Sequence, residues 1–408
     1  MPDRRYALFT HDAYGLGHVR RSVRIVRALA ERDPGASILL ITGSPATHWL
    51  RSLPPGADHL HLPTIVTSGE GPTRPATLAL GVAELAALRG GITQRALELL
   101  EPDVLLVDNF PLGTRLELLP ALRELRHRPT RTALGLRDVV DPPEKVQRDW
   151  QRDGLYGVVE RYYDRVLVYG TREVLDAGEA YGLPPEVSDK LAYCGYVTES
   201  PAALRRPAAV RSELGLAGGF LLATVGGGGD GRPLLDAFLG ALEHFPERHA
   251  LLVTGELMAD ADRAAIRESA GSRPNVLVRD HVANLPELMA AADVVVAMAG
   301  YNTSAEILAT GARAVLVPRS WKSGEHGARE KSRVDGEQLV RAEGLARLGA
   351  VRTLHPAKLA PDALAEAMTA ALGSGNGHSP HPPMRLALDG AARVAEELVR
   401  LATEGAAR

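Results

Sequence analysis

"DVVVAMAGYNTSAEI" (residues 293–307) decides the fold. Its valine-rich opening reads as a strand buried on both faces, the pattern of a parallel sheet rather than of a half-wetted hairpin. A glycine turn follows at once, and "YNTSAEI" then opens a helical pattern, so the stretch is one strand–turn–helix unit. Two readings of Glu306 stay open at this point. Thr303-x-x-Glu306 fits a capping box, in which two side chains satisfy orphan backbone N–H groups reciprocally. A carboxylate beside a glycine turn equally suits a ligand.

Working outward, the same unit recurs along the chain. Strands are expected at "YALFT" (6–10), "SILLIT" (37–42), "VLLVD" (104–108), "TALGL" (132–136) and "RVLVYG" (165–170). The series restarts with "FLLATV" (220–225), "HALLVTG" (249–255), "NVLVRD" (275–280), "DVVVAM" (293–298) and "AVLVP" (314–318). Strands alternating with helical patterns imply α/β architecture with parallel sheets, here in two domains. The proline-bearing "TESPAALRRPAAVRSELGLAGG" (198–219) reads as the linker, with the boundary near residue 205. A second break, "GSGNGHSPHPP" (373–383), is low in complexity. Beyond it Ala391, Val394, Ala395, Leu398 and Leu401 keep helical spacing, so a terminal amphipathic helix is expected to dock on another element. The expected division is 1–204, 205–383 and a helix at 384–408 that crosses back to the first domain.

Composition narrows the function. A net charge of −3 over 408 residues, with no basic excess in either half, argues against nucleic acid as a partner. Cys194 is the only cysteine, which excludes an intramolecular disulfide or a multi-cysteine zinc site and fits a reducing compartment. The opening "MPDRRYALFTHDAYG" is too short in apolar residues for a signal peptide, and no run has the length of a membrane span, so the expected location is the cytoplasm. "DAD" (260–262) imitates a metal-binding pair but reads better as acids at a helix start. No P-loop, zinc-protease or nucleophile-elbow motif is present. Trp49, Trp150 and Trp321 are too scattered for a stacking platform and read as packing residues.

Glycine turns follow three expected strands: "YGLGH" (14–18), "GGGGDG" (226–231) and "AGYN" (299–302). In open α/β sheets ligands bind outside the carboxyl ends of strands, where glycine admits phosphate oxygens and helix starts supply free N–H groups. Gly226, Gly228 and Gly231 also satisfy G-x-G-x-x-G, and Glu256 ends the next strand where a dinucleotide fold keeps its ribose acid. A nicotinamide-dependent oxidoreductase therefore stays in play. Against it, "AGYNTSAE" offers a second anion site with its own carboxylate.

Laid together, these segments resemble GT-B glycosyltransferases, especially the family of the peptidoglycan N-acetylglucosaminyltransferase (family 28 type). The chain is most similar to an uncharacterised bacterial branch of predicted glycosyltransferases carrying "HDxxGLGHxRR", "LLITGSP", "FPLGxRxELLPAL" and "GYNTxxEIL". Here they stand as "HDAYGLGHVRR" (11–21), "LLITGSP" (39–45), "FPLGTRLELLPAL" (110–122) and "GYNTSAEIL" (300–308). The resemblance implies two Rossmann-like domains with parallel sheets facing a central cleft, and inverting, metal-independent sugar transfer. The donor implied is a nucleotide-diphosphate sugar of UDP type, a co-substrate with no further cofactor. Glu306 resembles the acid that takes both ribose hydroxyls, while Gly300, Asn302 and Thr303 resemble the helix start that receives the diphosphate. Gly226, Gly227, Gly228 and Gly229 resemble the opposing glycine loop. Val282 matches the position whose backbone pairs with the base, and Glu337 with Gln338 matches the pair that holds donor-sugar hydroxyls.

Such a transfer needs a base for the acceptor hydroxyl. His18 matches the histidine that related enzymes carry after the first strand, and histidine ordinarily titrates near neutrality. Asp108, ending "VLLVD", matches an aspartate placed to orient it. A helix-capping histidine and a structural aspartate are the plainer alternatives. His11, Asp12 and Gly17 are assigned to the acceptor side. Arg20 and Arg21 suit an anionic acceptor, or else are exposed first-turn arginines. One departure is "RSWKSGEHGAREKSRVDGE" (319–337), longer and more charged than the branch pattern; it is a lid, or it displaces the Glu337 and Gln338 match. The acceptor is expected to be a small molecule or lipid, with a homodimer left open.

Overall fold

The computed structural model describes residues 4–10, 17–45, 47–66, 73–199, 204–216, 218–271, 273–323, 331–373 and 386–406. His11 and Asp12, and nearly all of 373–383, lie outside the described residues. The chain falls into two compact units. One comprises residues 1–172, 176–198 and 389–408; the other comprises 173–175 and 199–388. The divide at 198/199 lies upstream of residue 205. The stretch expected as linker holds the helix Pro207–Glu213, with proline at its first position where the missing N–H is harmless.

The first unit is built on seven parallel strands in the order Ala57–His61, Ser37–Thr42, Arg5–Thr10, Val104–Asp108, Arg131–Arg137, Arg165–Tyr169 and Leu191–Tyr193. The chain starts in the middle, winds out one way and then returns to wind out the other way. The strand order therefore reverses between Arg5–Thr10 and Val104–Asp108, where Phe9 is paired with Val107. The loops leaving the carboxyl ends of those two strands diverge there, and this opens a crevice.

The helix Gly17–Arg32 follows the first strand, and Gly390–Ala406 packs against it from the far end of the sequence. Val394, Ala395, Leu398 and Leu401 are its buried stripe, worth on the order of 5 kcal/mol of apolar burial. Entry to this helix is tight. The Gly390 amide donates to Tyr196 O at 3.1 Å, and a side chain at 390 would collide with the Gly195 and Tyr196 backbone.

The second unit repeats the plan with six parallel strands: Val276–Arg279, His249–Val253, Phe220–Thr224, Val294–Met298, Ala314–Val317 and Arg352–Thr353. Leu221, Ala223, Phe238, Leu252, Val294 and Val296 are among the side chains of its core. Its order reverses between Phe220–Thr224 and Val294–Met298. Residues 319–337 carry an antiparallel hairpin, Ser320–Ser323 with Lys331–Val334, whose tip lies outside the described residues. Among the described residues no helix is long and apolar enough to cross a membrane.

Candidate functional site

Both switch points carry the residues singled out from the sequence. In the first unit His18 stands on the first turn of Gly17–Arg32, and Asp108 is the last residue of Val104–Asp108. They meet at 2.6 Å between His18 Nδ1 and Asp108 Oδ2. Arg21, three residues on and so on the same helix face, donates through Nη2 to Asp108 Oδ1 at 2.8 Å and to Oδ2 at 2.7 Å. Its guanidinium also lies over the Tyr169 ring, 5.1 Å from the centroid. Arg21 is 1% exposed, so the reading of it as a surface arginine is wrong. Arg20 is the more open of the two and stacks on Trp49.

Burial alone would push the Asp108 carboxyl up. The Arg21 guanidinium first, and then His18, outweigh that and hold it well below the usual carboxylate range. An ionised carboxylate only accepts, so His18 Nδ1 is the donor in this contact. The close approach of Arg21 Nη2 to His18 Nδ1, 3.0 Å, is then two donors converging on one carboxylate. Gly17 is the first residue of the same helix.

In the second unit the helix Tyr301–Thr310 is opened by Gly300 as N-cap, with no side chain capping it, and closed by left-handed Gly311. Ser304 N donates to Gly300 O at 2.9 Å, the first intrahelical bond. The capping-box reading is thereby overturned. Thr303 is the third helical residue rather than the cap, and Glu306 sits in the second turn, 1% exposed. Glu306 is therefore not the reciprocal partner of a Thr303 cap.

Facing this helix start is the glycine loop. Gly226 adopts φ +60, and a Cβ there would approach only Thr303 Oγ1, at 4.0 Å; a Cβ on Gly300 would meet nothing within 4 Å. These two glycines border open space. Gly228 and Gly231 are glycine for a different reason, since side chains there would strike Thr254 O and Val225 respectively. The middle glycine of the apparent dinucleotide fingerprint is thus required by the protein's own backbone. Glu256, its would-be ribose acid, is paired with His281 at 2.8 Å.

Val282 lies in the loop between Val276–Arg279 and the helix Leu285–Ala291. Among the described residues neither its amide nor its carbonyl has a hydrogen-bond partner. Glu337 and Gln338 open the helix Gly336–Arg347, capped by Asp335, which accepts from Gln338 N at 3.2 Å. Gln338 Oε1 accepts from the Arg319 amide at 3.0 Å, leaving its NH₂ as the group a sugar hydroxyl can use. Glu337 Oε1 is held at 2.8 Å by Arg341 Nη2.

Arg341, fully buried, was not singled out from the sequence. Its Nη1 donates to Ala299 O at 3.0 Å, directly before Gly300, so it ties the Glu337 helix to the uncapped helix start. Arg319 plays a similar part, joining Asp335 at 2.7 Å and Asp230 of the glycine loop at 3.5 Å. The i, i+3 spacing of His18 with Arg21 and the i, i+4 spacing of Glu337 with Arg341 were the available signals. "DAD" opens the helix Asp260–Gly271, where Asp260 and Asp262 pair with Arg263 and Arg232.

Comparison with known proteins bears on the fold. A solved glycosyltransferase of kitacinnamycin superposes with TM-score 0.63 at 18% identity, covering 98% of this chain and all of that one. A UDP-N-acetylglucosamine 2-epimerase of Listeria monocytogenes gives 0.64 at 11% identity, covering 98% and 96%. Two such units, with these neighbours, make the fold that of GT-B proteins. Residues 222–396 match the family model of the glycosyltransferase family 28 C-terminal domain. A Bacillus cytotoxicus protein, the UDP-N-acetylglucosamine transferase acting on pyrophosphoryl-undecaprenol N-acetylmuramyl-(pentapeptide), is 35% identical over 113 residues. That match spans 27% of this chain and 31% of the relative.

Proposed function

We propose that the protein is a glycosyltransferase that moves a sugar from a nucleotide-diphosphate donor of UDP type to an acceptor hydroxyl, with inversion and without a metal. The observation that carries this reading is the uncapped helix start at Gly300 facing left-handed Gly226, with a buried acid one turn behind. Helix-start amides carry about half a positive charge, suited to a diphosphate as it leaves. Glu306 offers two acceptor oxygens to the vicinal ribose diol, and this selects against thymidine nucleotides, which lack the 2′-hydroxyl. The open backbone groups of Val282 suit the edge of a base, and Glu337 with the Gln338 NH₂ suits sugar hydroxyls. His18 Nε2 takes the acceptor proton as the acceptor oxygen forms its bond to the anomeric carbon and the bond to the diphosphate breaks. The acceptor class is a small molecule or lipid.

Thermal-shift and calorimetric titration with UDP, GDP, ADP and TDP and their sugars tests the donor side, since a specific ligand raises stability with occupancy. UDP compounds are expected to bind and TDP compounds to bind more weakly. No binding by any of them refutes the reading. Product analysis with donor alone separates transfer from epimerisation, the reaction named for the Listeria relative in fold; a changed sugar without acceptor would favour the latter.

A further inference from the structure

We propose that Arg21 is a positioning residue that neutralises Asp108, so that the carboxylate fixes the tautomer of His18 without turning it into an imidazolium before the reaction. The inference rests on the reading of His18 as base. It starts from a three-way contact: Arg21 Nη2 straddles both Asp108 oxygens while Asp108 Oδ2 takes the His18 Nδ1 hydrogen.

A bare aspartate beside a histidine does two things at once. It orients the ring, and its negative charge draws a second proton onto it. The first effect helps a base and the second disables it, because an imidazolium has no lone pair to offer. With Arg21 in place its positive charge lies 2.7 Å from Asp108 Oδ2 and offsets the carboxylate. Orientation is kept while the pull on the second proton is cancelled.

Two aromatic rings flank this end of the helix. Tyr169, on Arg165–Tyr169, offers its ring to the Arg21 guanidinium. Arg20, on the same helix, is turned onto Trp49, whose ring also meets His48 at 5.2 Å between centroids. A lysine would keep the charge of Arg21 but not its planar seat over the Tyr169 ring, because an ammonium is a point donor on a flexible stem.

The test is nitrogen NMR of the ¹⁵N-histidine-labelled full chain, with His18 assigned by its loss in His18→Asn. It needs neither donor nor acceptor, so a failure to find turnover on any acceptor bears only on the proposed function. Wild type is expected to show the hydrogen of the unprotonated ring on Nδ1. In Arg21→Met the imidazolium signals should persist to pH values higher than in wild type by about one unit or more. In Arg21→Lys the charge balance returns and the imidazolium range moves back towards wild type. A population with the hydrogen on Nε2 should appear there, because Asp108 is no longer locked.

A purely structural arginine would move neither signal. Wild-type tautomer and titration in Arg21→Met overturn the proposal. Should that variant not fold, an Arg21→Lys spectrum identical to wild type overturns it.

Discussion

Replacing Asp108 by asparagine is the sharpest perturbation the structure offers, because one side chain serves two partners, His18 and the buried Arg21. An amide keeps the shape but loses the charge, leaving Arg21 buried without its counterion. Breaking one partner out of such a pair costs about 3 to 5 kcal/mol. Chemistry suffers separately. With an NH₂ turned towards His18, Nδ1 must accept, the ring hydrogen moves to Nε2, and the nitrogen meant for the acceptor proton is blocked. Loss of general-base function corresponds to about 10² to 10⁴ in kcat.

Urea unfolding of wild type and Asp108→Asn, kcat with a UDP-sugar donor, and calorimetric donor affinity together test the argument. Donor Kd should stay within about threefold, since Asp108 belongs to the other unit from the nucleotide residues. The pH dependence has a defined sign. The folded carboxyl is held below its ordinary value, so its contribution is complete above about pH 5 and is lost as pH falls below about 4 towards the folded value. The stability difference between the two proteins should therefore be flat at neutral pH and shrink in acid. A variant within twofold of wild type in kcat, or one whose stability deficit grows in acid, would refute the reasoning.

Three further outcomes are expected. Glu306→Ala should weaken UDP binding by about 10- to 100-fold, the worth of one or two hydrogen bonds to a charged group, and calorimetry measures it. Gly228→Ala forces a side chain into Thr254 O at φ +94 and should lower stability by about 2 kcal/mol or more, whereas Gly300→Ala, facing open space, should stay within about 1 kcal/mol; thermal melting separates them. Burial pushes the Cys194 thiol up to about 12, so a thiol reagent at pH 8 should label it only after unfolding.

The central strands were legible because burial on both faces leaves long valine and leucine runs, and "SILLIT" and "VLLVD" match their strands residue for residue. The edge strands Ala57–His61, Leu191–Tyr193 and Arg352–Thr353 were not, since short, half-wetted edges carry no such run. His18 and Asp108 were found through motif position, but nothing in the sequence placed Arg21 between them. Arginine on a helix reads as solvated until a sheet is known to cover it. Thr303-x-x-Glu306 misled for a similar reason: the pattern of a cap is local, while the helix start is set by the strand ending at Met298 and the glycine after it.

The return of residues 389–406 to the first unit matters during synthesis. All seven strands of that unit have been synthesised by residue 193, but the partner of Gly17–Arg32 follows only after roughly 190 further residues, about ten to forty seconds of elongation. Throughout that interval a nascent, sticky surface is on display beside His18, which makes the early half of the polypeptide a client for holding chaperones even though its own sheet is complete.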